Sequence, residues 1–284
     1  MKELFDYLKT KKISVISPAG KINRELVSKS IAFFQEHGIQ LNILPHVLDE
    51  NSSEIYLASS LPNRLADFYD AWENSDIILC SRGGYGCAEL ACNVNWQNLQ
   101  KEDTIVVGYS DVTALHMAML KNRKGVCING MMALKFPELS SHKLNCKTLL
   151  SALQGENDLS FIDNLNVIGG KPLVINDGTK FVAANLAVLS SLCGTSIMPD
   201  FEGKVLIVED LNEPIYKLDR YLTQLTQNGI LSQLDGLIFG EFINCGSAED
   251  LEFVMKKFIP EVKGFTAKNF PFGHGDNIYS LRFC

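Results

Sequence analysis

No stretch of the chain approaches the roughly 18 consecutive apolar residues that crossing a bilayer requires. The opening, Met1-Lys-Glu-Leu-Phe-Asp-Tyr-Leu-Lys9, mixes acids among its apolar residues where a signal peptide would have an unbroken core. Both absences lead us to expect a cytoplasmic protein. An excess of positive charge is missing too: the formal net charge is −7, which argues against nucleic acid or an anionic membrane surface as the main partner. The eight cysteines (80, 87, 92, 127, 146, 193, 245 and 284) include no C-x-x-C pair, so neither a zinc ribbon nor a redox pair is supported. Scattered as they are, they read as buried reduced thiols. Cys87 borders a glycine-rich loop, but nothing nearby would lower its pKa enough to make it a nucleophile. No H-E-x-x-H or comparable ligand spacing occurs, so no metal is expected. The series Gly84, Gly86, Glu89 lacks the last glycine of a dinucleotide fingerprint, and no Gly-Lys-Ser/Thr follows to make a Walker loop. No cofactor is therefore expected, although a parallel sheet would suit a flavin or a nucleotide. Internal repeats and low-complexity tracts are absent.

What is present is ordinary globular material. The chain has 284 residues, 46% hydrophobic and 21% charged, enough for one large or two modest domains. Short apolar runs at 13–17, 39–44, 77–80 and 105–107 read as strands. Between them, helical spacing appears at 23–37, 62–72 and 87–92, and again from Asp111 onward. Such alternation predicts a parallel α/β sheet with ligands at the carboxyl ends of its strands. From Ser140 to Asn166 the pattern weakens, so we expect a first domain over 1–140, a linker over 141–166 and a second domain over 167–284. In the second, Gly169-Gly-Lys-Pro172 predicts a turn and 183–193 a helix. A strand at 204–208 follows, then a helix at 214–228, a strand at 236–240, a helix at 248–258 and a loop over 269–277.

Three places offer chemistry. Ser110 stands where the strand ending at Val107 turns through Gly108 into a helix, exposing a hydroxyl beside helical N–H groups. The turn resembles a nucleophile elbow without its second glycine, and a serine there would also cap a helix. Of only five histidines, His116 points some 120° away from the start of that helix. His274 instead lies between Gly273 and Gly275, in an open loop able to present an imidazole. Glu209 emerges at the end of a buried strand, where catalytic carboxylates tend to lie in α/β folds; Asp210 is its rival. Arg82-Gly-Gly-Tyr-Gly86, between a strand and a helix, offers backbone amides to an anion and Arg82 as a charge. Each signal is weak alone. Together they supply the parts of a Ser–His–carboxylate triad in chain order Ser110, Glu209, His274.

At these residues the sequence resembles the LD-carboxypeptidases, serine peptidases that include the muramoyltetrapeptide carboxypeptidases of bacterial cell-wall recycling. The likeness begins at Ser17-Pro-Ala-Gly20 and includes Arg82-Gly-Gly-Tyr-Gly86 and Gly108-Tyr-Ser-Asp-Val-Thr-Ala-Leu-His116. It continues through Asn185-Leu186, Gly194-Thr195, Leu206-Ile-Val-Glu-Asp210, Tyr216-Lys-Leu-Asp-Arg220, Gly240-Glu-Phe242 and Phe272-Gly-His-Gly275. One departure is Ala183-Ala-Asn-Leu186, where the family usually has Gly-Gly-Asn-Leu.

The resemblance implies an N-terminal flavodoxin-like parallel-sheet domain and a C-terminal α/β domain, with the active site in the cleft between them. It also implies Ser110 as nucleophile, Glu209 orienting the base, His274 as that base, and an oxyanion hole at the backbone amides of Gly84 and Asp111. Arg82 and Tyr85 are candidates for substrate binding. The implied reaction removes terminal D-Ala from a murein tetrapeptide, without metal or cofactor, in a protein that is a homodimer. None of these motifs distinguishes diaminopimelate from lysine at the peptide's third position. Two other readings share the motifs or the fold. One is a microcin C self-immunity-type amidase, which cleaves aminoacyl or peptidyl adenylate analogues. The other is a non-catalytic peptide-binding protein, which the intact triad residue types argue against.

Overall fold

A computed structural model of the chain describes residues 1–49, 52–176 and 178–283, so Cys284 lies outside the described residues. Short β-branched runs build the first sheet because both of its faces are covered by helices. Strands β1 (Ile13–Ile16), β2 (Leu41–Ile43), β3 (Ile77–Cys80), β4 (Ile105–Gly108) and β5 (Val126–Asn129) run parallel in the order β2-β1-β3-β4-β5. That is the flavodoxin-like order, and its reversal lies between β1 and β3. Helix α1 (Lys2–Leu8) precedes the sheet. Helices α2 (Arg24–Glu36), α3 (Leu61–Asn74), α4 (Cys87–Asn93) and α5 (Thr113–Asn122) are the crossovers, and α6 (Phe136–Leu139) and α7 (Lys143–Leu153) follow β5.

The second sheet holds β6 (Asn166–Gly170), β7 (Lys180–Asn185), β8 (Lys204–Leu211), β9 (Gly236–Ile243) and β10 (Phe265–Lys268) in the order β6-β10-β9-β8-β7. Strands β7 to β10 are mutually parallel and β6 is antiparallel. Helices α8 (Leu186–Ser191), α9 (Ile215–Gln227) and α10 (Ala248–Phe258) connect them. A last strand, β11 (Leu281–Phe283), returns to the first sheet and pairs antiparallel with β5. No helix among the described residues is long and apolar enough to cross a membrane.

Several elements differ from the sequence expectation. Ala183 and Ala184 belong to β7, and the helix starts only at Leu186, because alanine has high helix propensity but here lies fully buried in a parallel strand. The turn expected at 169–172 begins inside β6. Within the stretch expected as a linker, residues 143–153 form α7. Its inward face includes the fully buried Asn145 and Thr148, so hydrophobic periodicity does not reveal it. Asn145 accepts from the Ile278 amide at 2.8 Å and donates to the Asp276 carbonyl at 2.9 Å, and the Ser280 amide donates to Thr148 Oγ1 at 3.0 Å. These bonds hold the segment that leads from His274 into β11. A further bond joins the two sheets' elements directly: the Asn185 amide donates to Thr113 Oγ1 at 2.9 Å.

Candidate active site

Ser110 has φ 63°, a left-handed conformation that non-glycine residues rarely adopt. One turn of 3-10 helix, Ser110–Val112, then leads into α5. Gly108 has to be glycine here, because a Cβ on it would lie 2.8 Å from the Val112 side chain. The tight turn leaves Ser110 part-exposed at the carboxyl end of β4, while Tyr109 and Asp111 on either side are buried.

The loop after β3 is held against this turn. A Cβ on Gly83 would lie 2.9 Å from Ser110 Oγ and 3.3 Å from the Asp111 amide nitrogen, so the bare backbone allows the approach. The buried Asp111 carboxylate accepts from the Cys87 amide at 2.8 Å and ties the serine turn to the first residue of α4. Among the described residues, no protein acceptor takes up the amides of Gly84 or Asp111. Both remain available to a ligand. Arg64 braces the same frame from below. It is almost fully buried, and it donates to the carbonyls of Ser59, Pro18 and Gly86 at 3.0 Å each and pairs with Glu89. The only sequence signal for this role is an arginine placed on the apolar face of α3, beside Asp67, Phe68 and Ala71.

His274 and Glu209 meet across the C-terminal half. His274 Nδ1 lies 2.7 Å from Glu209 Oε2. Glu209 sits inside β8 rather than beyond it, where the pairing with β9 is irregular between Val208 and Asp210. Such an irregularity re-aims side chains, and both Glu209 and Asp210 are buried. Asp210, the rival carboxylate, is committed elsewhere: it accepts from the Ala187 and Leu211 amides at 2.9 Å each and from Asn185 Nδ2 at 3.1 Å. Burial outweighs those bonds and pushes the Asp210 carboxyl up to about 6. Asn185 also donates to Glu209 Oε1 at 3.2 Å, so both oxygens of that carboxylate are engaged.

Glycines let the His274 loop reach this point. A Cβ on Gly240 would strike the Phe272 carbonyl, and one on Gly273 would lie 3.0 Å from the Glu241 Cβ. The Glu241 amide donates to the Phe272 carbonyl at 2.8 Å. Its carboxylate is pushed up by burial, against the opposing hydrogen bond from the Gly275 amide. Glu241 thus grips the loop at both ends, a role that no periodicity or spacing could reveal. The Tyr109 ring stands edge-on to His274 with centroids 5.2 Å apart. Burial alone would pull the imidazole down, and the hydrogen bond and charge of Glu209 outweigh it, leaving His274 above its ordinary value.

Ser110 and His274 line one cavity of about 490 Å³, together with Arg82, Gly83, Gly84, Tyr109, Lys135 and Leu211 among others. Glu209 stands behind His274. The structure therefore brings Ser110, Glu209, His274, Gly84, Asp111 and Arg82 together around one cleft. Tyr85 faces an adjoining cavity. His116 is fully buried with Nε2 3.1 Å from the Val106 carbonyl, and it takes no part in the cleft. The Cys87 thiol is pushed well above its ordinary value by burial and by Asp111, which removes it as a nucleophile.

Sequence comparison extends the likeness to both halves of the chain. The LD-carboxypeptidase N-terminal domain matches residues 13–130, and the LD-carboxypeptidase C-terminal domain matches residues 179–283. The chain belongs to the LD-carboxypeptidase family. It is 28% identical over 277 residues to the murein tetrapeptide carboxypeptidase of Pseudomonas aeruginosa, covering 93% of this chain and 88% of that protein. Among solved structures, it resembles muramoyltetrapeptide carboxypeptidase from Oxalobacter formigenes, with TM-score 0.78 and 22% identity over 95% of this chain and 92% of that one. It also resembles an MccF-like protein of Bacillus anthracis, with TM-score 0.81 and 22% identity over 96% and 91%. The structural likenesses establish the two-domain α/β fold of the family.

Proposed function

We propose that the protein is a serine carboxypeptidase that hydrolyses the L,D-peptide bond releasing terminal D-Ala from murein tetrapeptides. The observation that carries this reading is the 2.7 Å contact of His274 Nδ1 with Glu209, in a cleft whose wall presents Ser110 on a left-handed turn. A carboxylate can only accept, so Nδ1 carries the proton and Nε2 is left as the base. His274 takes the proton of Ser110 as Oγ attacks the scissile carbonyl, and delivers it to the leaving D-Ala amine. Water then enters by the same route in reverse and frees the acyl peptide. Glu209 holds the ring and stabilises the imidazolium, and the Gly84 and Asp111 amides receive the oxyanion. Family membership and the murein-directed relative support this substrate class over an adenylate. The reading carries with it a cytoplasmic location and a homodimeric assembly.

The test compares wild type with Ser110→Ala on a tetrapeptide ending in D-Ala and on its all-L counterpart. Wild type should release D-Ala from the first alone, and the variant should lose activity by a factor on the order of 10³ or more. Equal release by both proteins, or none by wild type, would reject the proposal.

A further inference from the structure

A cavity of about 660 Å³ lies along the seam between the two halves, at the far end of the elements that carry the triad. Its wall takes Lys121 and Arg123 from the end of α5, Arg282 from β11, and Lys180 and Lys204 from the starts of β7 and β8. Phe181 and Phe283, both buried, supply apolar lining. Among the described residues, none of the five cations pairs with a carboxylate. Lysines elsewhere do so, as Lys263 does with Glu202 and Lys257 with Asp219, each at 2.7 Å. Arg282 makes one long bond, from Nη1 to the Ala152 carbonyl at 3.4 Å. One carboxylate lines the cavity, that of Asp200, and it accepts from the Glu202 amide at 3.1 Å. A chain of net charge −7 thus gathers unneutralised positive charge in one concave place. The negative end of α5 accounts at most for Lys121 and Arg123, because its field fades within the last turn. Lys180, Lys204 and Arg282 lie on strands, whose net dipole is small.

We propose that this cavity binds a small polyanion carrying two or more phosphoryl groups, from a free polyphosphate or a nucleotide. Its volume falls within the roughly 300–1,000 Å³ of ligand pockets, and cations on several walls call for negative charge at more than one point. Phosphoryl groups match them better than carboxylates, since each brings up to about two charges and three acceptor oxygens. The arginines offer planar forks to those oxygens and the lysines offer point charges. Lys121, Arg123 and Arg282 belong to the half built on the first sheet, and Lys180 and Lys204 to the second sheet. A bound polyanion therefore bridges the halves. It does so behind the triad: α5 follows the Ser110 turn, β8 carries Glu209, and β7 ends at Asn185, which donates to Glu209. Filling this cavity braces the frame of the triad and leaves its cleft open. The site is independent of the reaction proposed above.

Calorimetry on the full chain at physiological ionic strength tests the proposal with tripolyphosphate, ATP and orthophosphate. Tripolyphosphate should bind once per chain, about tenfold or more tighter than orthophosphate. Arg123→Gln and Lys180→Gln, one from each half, should each weaken it by about tenfold, and Arg123→Lys should recover part of the loss. Lys29→Gln removes a charge from an exposed position on α2 and should leave the affinity within about twofold, since distant charges are screened. Saturating tripolyphosphate should raise the Tm of wild type and move that of either glutamine variant less. ATP binding as tightly as tripolyphosphate would support the site with a nucleotide as its ligand, and weaker ATP binding would support it with a free polyphosphate. The site is overturned by no saturable binding, by orthophosphate binding as tightly as tripolyphosphate, or by an affinity that both glutamine variants keep. Capture of an RNA oligomer in place of these phosphates would overturn it as well.

Discussion

The contact between His274 and Glu209 has consequences at the scale of single residues. A ring held above the ordinary imidazole value of about 6.5 is protonated at neutral pH more often than a free one. The base is competent only when neutral, so kcat/KM should rise with pH through a pKa above 6.5. Glu209→Gln removes the charge that raises this value. Its acid limb should move to lower pH while the rate falls by a factor on the order of 10⁴, as when a triad carboxylate becomes an amide elsewhere. A pH–rate profile of both proteins checks direction and size together, and an unmoved limb would contradict the pairing. Stability carries the opposite sign. A raised folded-state value means that the pair's contribution is complete below the unfolded pKa and is lost as pH rises through the folded one. Urea titrations should therefore show Glu209→Gln costing more stability at pH 5 than at pH 9. Local pattern left Glu209 and Asp210 as rivals, because adjacent acids in a strand look alike, and only the family resemblance named Glu209. The irregular pairing at Glu209 and the two amides that claim Asp210 separate them.

At the scale of elements, the site is the meeting of two turns. The strand-to-helix turn after β4 and the glycine loop after β3 approach closely only because Gly83 has no side chain. Gly83→Ala should leave the fold in place and push against Ser110 Oγ. A catalytic oxygen misplaced by about 1 Å can cost about 10²-fold in rate. We expect kcat to fall on that order while Tm changes by a few degrees at most, read by steady-state kinetics beside a thermal melt. Wild-type kcat in Gly83→Ala would mean that the serine is not confined as described. Both turns were legible in the sequence, since Gly108-Tyr-Ser-Asp and Arg-Gly-Gly-Tyr-Gly mark strand ends plainly. Their mutual distance was not, because it depends on neighbouring strands in the sheet. Asp111 bonding the Cys87 amide, and Arg64 beneath them, belong to that same hidden layer.

For the whole molecule, the cleft is held by connections far from it. Helix α7 lies in a stretch whose sequence suggested only a linker, yet Asn145 fixes the segment immediately after the His274 loop. Asn145→Ala would leave the Ile278 amide and the Asp276 and Leu139 carbonyls without this partner. Losing buried hydrogen bonds of this kind costs about 1–3 kcal/mol. Urea unfolding should show a loss of that size, together with a lower kcat if the loop loosens. A variant as stable as wild type would show that α7 is not the anchor.

The sequence by itself determined the alternating α/β character, the residue types of the candidate triad and their order along the chain. These are properties of local pattern: β-branched runs, glycine turns and the positions of a few polar residues at strand ends. The tertiary structure alone decided how the Ser110 turn and the Gly83 loop share one frame, what holds Asp210 away from His274, and where β11 returns to the first sheet. Each of those depends on contacts between residues far apart in sequence, many of them polar and buried. Hydrophobic periodicity carries no record of such pairs, because it records which face of an element is buried and not what lies against it.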